Sequence, residues 1–300
     1  MQIHKNSICG IVVTYNPGSA VIENVMALRE QVDRVFVVDN GSSASSQDYV
    51  VALSQFSHVH VYWNTENLGI ATALNVGVHE ALHYGYDWVA TFDQDSTVTH
   101  RMVPAMVETY ENCKYKSRVA IICPKYRDRT SGKTINNPTR RMVDSSCATV
   151  FSAFTSGNLV KTAVFDSVGF WKDELFIDLV DYEFNFRCIQ KGYLIIEAQT
   201  AWLDHNLGAP EPVELCGKTW LIGHHSAIRR YYWSRNMVWL WRHYWKFLFR
   251  HFKWAFRELV YGFVVSLAAL VLFERGRRTK IRFVLHGLYD GLRGKLGPLA

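Results

Sequence analysis

Four apolar runs in the first hundred residues, each followed by a polar cluster, constrain the fold of this chain more than any other feature. The runs that predict buried strands are Ile8–Tyr15, Arg34–Val38, His58–Trp63 and Trp88–Phe92. The segments between them with helical character include Ala20–Gln31 and Gly69–Tyr84. This alternation predicts an α/β fold in which a mostly parallel sheet is flanked by helices.

The polar clusters that follow the four strands are predicted to lie along one edge of the sheet. They are Thr14–Asn16, Asp39–Ser42, Asn64–Gly69 and Asp93–Asp95. Open α/β sheets bind their ligands beyond the carboxyl ends of the strands. The shared position of the clusters therefore predicts a binding site at this edge.

The cluster after the fourth strand, Asp93-Gln94-Asp95, is a candidate metal site. Two carboxylates two residues apart in a turn can hold a hard divalent cation, which can in turn neutralise a diphosphate. The alternative interpretation is that Asp93 and Ser96 cap a turn and the helix after it.

The clusters after the second and third strands have two interpretations each. Asp39 could close an Asx turn, or its carboxylate could accept the imide N–H of a pyrimidine beside Thr14. The backbone amides of Asn67 and Gly69 are predicted to meet phosphate or ribose at a helix start. Gly69, Ala73 and Gly77 recur every four residues, which predicts one closely packed helix face.

The charge of the chain is distributed unevenly. The residues from Arg229 onward carry 15 lysines and arginines against three acidic residues, which leaves the first 228 residues acidic. With 49% hydrophobic and 20% charged residues, the chain is not of the disordered class. Six scattered cysteines suggest neither a zinc site nor a disulfide framework, and the N-terminus shows no secretory leader, so a cytoplasmic setting is expected.

The basic tail, residues 229–300, is predicted to be a helical membrane-associating region that follows a catalytic domain of residues 1–228. Its cations at helical spacing are Arg235, Arg242, Lys246, Arg250, Lys253 and Arg257. A cationic stripe on an aromatic helix is typical of an anionic membrane interface. The apolar run Leu259–Phe273 has 15 residues, fewer than the ~20 of a spanning helix. The alternative is a helical subdomain packed on the catalytic domain or on a second subunit.

Several motifs together resemble the family 2 glycosyltransferases, over about residues 8–240. They are Thr14-Tyr15-Asn16-Pro17, Val38-Asp39-Asn40-Gly41-Ser42, Asn67-Leu68-Gly69 with Asn75 and Gly77, and Phe92-Asp93-Gln94-Asp95-Ser96. The resemblance implies the nucleotide-diphospho-sugar transferase (GT-A type) fold and inverting sugar transfer. The last motif, with residues 176–183 and 225–236, resembles the rhamnosyltransferase branch, which builds bacterial surface polysaccharides such as O-antigen from dTDP-L-rhamnose.

The resemblance also implies roles for single residues. Asp181 matches the catalytic base, although Val180 stands where many relatives have glutamate; Asp178, Glu183 or a helix-capping role for Asp181 are the alternatives. Asp93, Asp95 and His205 match the ligands of Mg²⁺ or Mn²⁺, with a structural role for His205 as the alternative. The predicted donor-binding residues are Thr14, Tyr15, Asn16, Asp39, Asn40, Asn67, Gly69, Asn75, Asp93, Gln94, Ser156, Gly157, Arg229 and Arg230.

The expected acceptor is a polyprenyl-diphosphate-linked saccharide at the cytoplasmic face of the cell membrane, and no nucleic-acid partner is expected. Arg229 and Arg230 could instead bind membrane phosphates, and Gly157 could simply relieve backbone strain. A UDP-hexose donor and a non-catalytic membrane scaffold remain alternatives. A nucleotidyltransferase is disfavoured, because Thr14-Tyr15-Asn16-Pro17 is not a glycine-rich, arginine-containing loop. The sequence leaves the oligomeric state open.

Overall fold

The computed structural model of the chain separates into two compact units. It describes residues 7–129, 132–137, 139–205, 211–215 and 218–299. The first unit comprises Met1–Asp173 and Val180–Asn206, and the second comprises Glu174–Leu179 and Leu207–Ala300. The second unit thus begins before residue 229, and the functional boundary at 228 stays a prediction.

The first unit contains alternating strands and helices. Its strands are β1 (Ile8–Thr14), β2 (Arg34–Asn40), β3 (Val59–Asn64), β4 (Trp88–Asp93), β5 (Thr97–Val98), β6 (Val119–Asp128), β7 (Thr134–Ile135), β8 (Arg141–Met142), β9 (Cys147–Val150), β10 (Asn158–Lys161) and β11 (Leu194–His205). Its helices are α1 (Ala20–Arg29), α2 (Ala44–Leu53), α3 (Ile70–His83), α4 (Met102–Asn112), α5 (Ala163–Val168) and α6 (Val180–Gln190).

The sheet of the first unit joins these strands in the order β3-β2-β1-β4-β10-β6-β11-β9-β8. The four strands β3, β2, β1 and β4 run parallel, whereas β10 is antiparallel to both of its neighbours. The predicted α/β fold with a mostly parallel sheet is confirmed. In register, Thr14 lies beside Asp39 and Val13 beside Asp93, so the strand-end clusters meet at one edge.

Helix α3 packs closely on the central strand, as its small residues predict. A Cβ added to Gly77 would lie 2.5 Å from Cγ2 of Ile11 on β1. Because that space is already filled, a larger residue at position 77 would push α3 away from the sheet. The helix start, just after Gly69, is thereby held near the edge where β1 and β2 end.

The second unit contains a hairpin and four helices among its described residues. These elements are β12 (Glu211–Leu215), β13 (Lys218–Ile222), α7 (Ala227–Arg250), α8 (Phe252–Ala255), α9 (Gly262–Leu272) and α10 (Arg277–Arg293), with a π-helical turn at Phe256–Tyr261. Helices α7 and α10 approach closely, since a Cβ on Gly291 would lie 2.6 Å from the Arg235 carbonyl oxygen.

Two sequence expectations for the tail need correction. Arg235 does not belong to an exposed stripe, because its side chain is fully buried and donates to the carbonyls of Glu174, Leu175 and Gly297. Helix α7 also departs from helical geometry at Tyr244 (φ −112°, ψ 18°), so the six cations do not share one straight face. The helical stretch that contains the apolar run is longer than the run itself. Judged by length and composition alone, Phe252–Leu272 could cross a membrane.

Candidate functional site

The carboxylate of Asp39 connects the ends of β1 and β2. It is fully buried and accepts hydrogen bonds from Thr14 Oγ1 (2.8 Å), Ser42 Oγ (2.6 Å) and the Ser42 backbone N–H (2.9 Å). The last bond is the Asx turn that the sequence offered as one interpretation. Ser42, to which the sequence assigned no function, is therefore the residue that orients this carboxylate.

The loop after β1 is held on both sides by side-chain hydrogen bonds. The Asn16 N–H donates to Ser42 Oγ (2.7 Å), and Asn16 Oδ1 accepts from the Ser43 N–H (2.8 Å). On the other side, Gln94 accepts from the Tyr15 N–H (2.8 Å) and donates to the Tyr15 carbonyl (3.2 Å). Gln94 thus fixes this loop, while the Tyr15 ring remains exposed.

Asn40 is the centre of a second network at the same edge. Its side-chain N–H₂ donates to Asn67 Oδ1 (2.9 Å) and to the Gly69 carbonyl (3.1 Å), and its Oδ1 accepts from Asn64 Nδ2 (3.1 Å) and the Leu68 N–H (3.1 Å). All four possible hydrogen bonds of this amide are directed into the chain. Asn40 therefore ties β2 to β3 and to the start of α3.

The same network changes the expectation for Gly69. Its N–H, predicted to meet phosphate or ribose, donates to Asn67 Oδ1 (3.0 Å). The neighbouring turn depends on Gly41, which has φ of +76° and whose added Cβ would lie 2.5 Å from the Glu66 backbone. Asn67 and Gly69 are thus used to shape the loop that faces this edge.

Asp93 and Asp95 lie in a tight turn after β4. The turn is closed by the Ser96 N–H, which donates to the Asp93 carbonyl (3.3 Å), and the next element is the short strand β5 rather than a helix. Asp95 is exposed and Asp93 partly buried. Over the described residues no group of three or more histidine, cysteine or acidic side chains could hold a metal ion. The side chain of His205, the third predicted ligand, lies outside the described residues.

Ser156 and Gly157 lie directly beside this turn. Ser156 Oγ accepts from the Asp93 N–H (3.1 Å) and donates to Ser96 Oγ (2.7 Å). The Gly157 N–H donates to the Thr91 carbonyl (2.6 Å), and φ of +88° explains the glycine. The structure thus brings both residues to the acidic turn, and their role in donor binding stays a prediction.

Tyr126 on β6 is a residue that sequence reasoning missed. Its ring is buried against Phe154, and its hydroxyl has no hydrogen-bond partner in the described part of the chain. Burial, together with nearby negative groups that include Asp181 and Asp93, raises the pKa of Tyr126 well above its usual value. A tyrosine in an apolar strand carries no sequence signal that separates it from core.

Asp181 lies in the first turn of α6, which begins at Val180, so it is not the residue that caps this helix. Its Oδ1 accepts from the Tyr182 N–H (2.9 Å), and the side chain is only partly buried. The two alternative bases are engaged elsewhere. Glu183 is buried and paired with Arg187 (2.7 Å), and Asp178 in the second unit is paired with Arg229 (2.5 Å).

Asn75 has a place different from the other predicted donor ligands. Its Nδ2 donates to the Trp171 carbonyl (2.7 Å) and to Asp173 Oδ1 (2.7 Å), and its Oδ1 accepts from the Trp171 N–H (3.0 Å). The side chain is buried. These contacts fasten a loop and leave little capacity for a ligand, so the structure supports a structural role here.

Arg229 and Arg230 belong to the second unit, in the first turn of α7. The same helix holds the segment Glu174–Leu179, because the Asn236 side-chain N–H₂ donates to the carbonyls of Leu175, Ile177 and Asp178. That segment contains three non-glycine residues with positive φ: Phe176, Asp178 and Leu179. Such strain persists only where neighbouring groups enforce it, and Asn236 supplies that restraint.

Comparisons with known proteins agree with this geometry. Residues 9–171 match the model of glycosyl transferase family 2. The chain is 30% identical to the dTDP-rhamnosyl transferase RfbF of Shigella flexneri, over 98% of both chains. Among solved structures it is similar to GalNAc-T7 with UDP, GalNAc and Mn²⁺, with a TM-score of 0.57 and 14% identity over 78% of this chain and 47% of that one. It is also similar to Staphylococcus aureus TarS, with a TM-score of 0.54 and 17% identity over 67% of this chain and 36% of that one.

The solved structures, at these identities, establish the fold alone, and they confirm the predicted nucleotide-diphospho-sugar transferase architecture. The family model covers more than half of the chain, and the curated relative aligns along nearly all of it, tail included. The strand-end loops with Asp39 and with Asp93 and Asp95 lie inside the matched range. The chain therefore belongs to glycosyl transferase family 2.

Proposed function

We propose that this glycosyltransferase moves L-rhamnose from dTDP-L-rhamnose to a hydroxyl of a lipid-linked saccharide during surface polysaccharide synthesis. The observation that carries the proposal is the joining of Asp39 and the Asp93–Ser96 turn at one sheet edge, within a chain that aligns end to end with a dTDP-rhamnosyl transferase. This edge offers an acceptor for a pyrimidine and two carboxylates for a metal.

The thymine end of the donor is assigned to Asp39 and Thr14. A carboxylate has about four lone-pair positions for hydrogen bonds. In Asp39, groups of the chain use three of them. The carboxylate can therefore accept one further hydrogen bond, which we assign to the imide N–H of the base. Tyr15, Asn16 and the Gln94-braced loop would form the wall beside it.

The diphosphate end is assigned to Asp93 and Asp95 with a divalent metal, Mg²⁺ or Mn²⁺. Their carboxylates are the hard oxygen ligands that such ions prefer, and the exposed position of Asp95 suits a bridging ion. Two protein carboxylates leave coordination positions for diphosphate oxygens, which fits a metal held jointly with substrate. The bound metal would neutralise the charge of the leaving diphosphate. His205 is the proposed third protein ligand.

Asp181 is the proposed base. Its carboxylate takes the proton of the acceptor hydroxyl while that oxygen forms a bond to the anomeric carbon. The bond between that carbon and the diphosphate breaks on the opposite face, and dTDP leaves with the electron pair. The result is inversion at the anomeric carbon. Ser156 and Gly157, beside the acidic turn, would line the sugar pocket.

We also propose that the enzyme works at the cytoplasmic face of the membrane. Large apolar side chains of the second unit are exposed, including Trp245, Phe249, Phe252 and Phe256. Exposed cations, among them Lys246 and Lys253, lie between them. Aromatic and basic side chains in one region suit an anionic lipid interface.

A donor panel tests the proposed reaction. Turnover of dTDP-L-rhamnose, measured as dTDP release, should exceed that of UDP-glucose and UDP-galactose, and excess chelator should abolish it until Mg²⁺ or Mn²⁺ is added. Faster turnover of a UDP-hexose would refute the rhamnose assignment and leave the family intact. Full activity in chelator would refute the metal.

A further inference from the structure

A cavity of about 340 Å³ lies inside the second unit, between the start of α7 and helix α9. Arg229, Arg230 and Trp233 line it from α7, and Gly262 and Ser266 line it from α9. His225, just before the helix cap Ser226, completes the lining together with Asp178. The walls therefore combine two guanidinium groups and one carboxylate with the Trp233 ring and two small residues of α9.

The cationic side carries more positive charge than a helix start normally does. Backbone N–H groups give a helix N-terminus a partial positive charge, so acidic residues are favoured there. The first turn of α7 has no acidic residue and instead contains Arg229 and Arg230. Burial and the charges of Arg230 and Arg229 lower the pKa of His225. Asp178 and Glu274 pair with these arginines, so an anion in the cavity would compete with Asp178 for Arg229.

Arg230 has unused hydrogen-bonding capacity. Its side chain is 5% exposed and pairs with Glu274 and Ser266. Its Nε is buried without a partner among the residues that the structure describes. A buried guanidinium N–H without an acceptor is costly, and a phosphate oxygen entering the cavity would supply one. Arg229 is paired with Asp178 and half exposed, so its guanidinium can also reach a ligand.

The apolar part of the lining is the ring of Trp233, and helix α9 contributes the small residues Gly262 and Ser266. Helix α9 has the sequence GFVVSLAALVL, without a charged residue. Trp233 stacks on Phe263 of this helix, with ring centroids 5.0 Å apart. A ligand that fills the whole cavity must therefore offer an anionic group and an apolar group side by side.

We propose that this cavity binds the diphosphate head of a prenyl-diphosphate-linked acceptor, with Arg229 and Arg230 on the phosphates and the first isoprene units against α9. The proposal deepens the proposed function and rests on its lipid-linked acceptor. A nucleotide diphosphate has the anionic group but carries a polar sugar next to it, where a prenyl diphosphate carries a hydrocarbon chain. The two arginines are thereby assigned to the acceptor rather than to the donor.

Binding of the water-soluble probe farnesyl diphosphate to the full-length protein, measured by calorimetry, tests this assignment. Arg229→Gln removes a charge, and Gly262→Leu fills the cavity without touching a charge. A Cβ at position 262 has room, since the nearest atom it would meet beyond its own helical turn is the Arg257 carbonyl oxygen at 3.8 Å. Arg278→Gln and Val264→Leu are matched controls on exposed positions.

We expect each cavity variant to weaken farnesyl diphosphate at least tenfold, each control to leave it unchanged, and dTDP to bind all five proteins equally. Inorganic diphosphate should bind more weakly than farnesyl diphosphate. Equal binding of farnesyl diphosphate to wild type and both cavity variants overturns the proposal. Weakened dTDP binding in Arg229→Gln also overturns it, because the arginine would then serve the donor.

The outcome separates this proposal from the proposed function. If the wild-type enzyme transfers rhamnose but the cavity variants bind farnesyl diphosphate normally, the cavity assignment is wrong and the proposed reaction stands. If farnesyl diphosphate binds as expected but no rhamnose is transferred to any acceptor, the prenyl-diphosphate site stands and the rhamnose assignment is wrong.

Discussion

The two units of this enzyme use buried polar side chains in different ways. In the first unit, Asp39, Asn40 and Ser156 lie at strand ends, where their hydrogen bonds join loops around one edge of a sheet. In the second, Arg235 and Asn236 lie in the middle of α7, and their hydrogen bonds hold the segment Glu174–Leu179. A sheet edge collects polar groups because its strands end there, whereas a helix must bury them among apolar neighbours.

This difference predicts which substitutions should change activity and which should change stability. In the first unit, the side chains of Asp95 and Asp181 are exposed or only partly buried, so conservative changes there should affect chemistry first. Side chains buried in α7 satisfy carbonyl groups that would otherwise be orphaned, so changes there should affect folding first. Four substitutions test this contrast.

Asp181→Asn should have the largest effect, and on chemistry alone. The change keeps the shape and hydrogen bonding of the side chain but removes its basicity, so turnover should fall by ~10²–10⁴. Donor affinity and melting temperature should stay near those of the wild type. Near-normal dTDP release in a rhamnosyl-transfer assay would move the base to another residue, with Asp178→Asn and Glu183→Gln as the next variants.

Asn236→Ala should be the opposite case. It removes the side-chain donor to the carbonyls of Ile177 and Asp178, at about 1 kcal/mol for each lost hydrogen bond, whereas the Leu175 carbonyl keeps its bond from Arg235. We expect the free energy of unfolding to drop by ~2 kcal/mol in urea titrations. Lys246→Ala, on an exposed position of the same helix, serves as the control. Equal stability of the two variants would show that the strained segment does not need this restraint.

Lys253→Gln should weaken binding to anionic vesicles and leave donor binding intact. A basic residue near an anionic surface contributes about 1 kcal/mol, which corresponds to roughly a fivefold change in the partition coefficient. Lys116→Gln, an exposed lysine of the first unit, is the matched control. Salt should weaken the binding of the intact protein without abolishing it, since apolar burial is not screened. An intact protein that ignores anionic vesicles would refute the membrane assignment.

Tyr126→Phe should change stability by less than Asn236→Ala and in the opposite direction. Removing a buried hydroxyl that has no protein partner should raise the free energy of unfolding by up to ~1 kcal/mol. If the hydroxyl contacts substrate beside Asp181 and Asp93, turnover should fall at the same time. Higher stability with unchanged turnover would restrict Tyr126 to the core of the first unit.

The sheet edge could be predicted because local signals agree there. Each apolar run is long enough for a buried strand, and each is followed by residues that favour turns, so the position of Asp39, Asp93 and Asp95 followed from chain order alone. The interpretation of Gly77 as a packing position was also correct, since small residues every four positions lie on one helix face.

The roles inside that edge were harder to predict. The Gly69 amide and the Asn75 side chain carry hydrogen-bonding groups that suit a ligand, but the folded chain uses them for Asn67 and for Trp171. Which partner such a group takes depends on residues far away in sequence. A motif alone therefore does not separate a ligand contact from a loop contact.

The sequence by itself determined the alternation of four strands with helices in the first hundred residues, the common edge of the polar clusters and the family of the enzyme, because these depend on local periodicity and short motifs. Only the tertiary structure decided that Arg235 is buried and that Arg229 and Arg230 face a cavity beside α9. Helical spacing shows which residues share a face, but it does not show whether that face meets solvent, lipid or another helix. That choice is made by packing between distant segments, such as the close approach of α7 and α10 at Gly291.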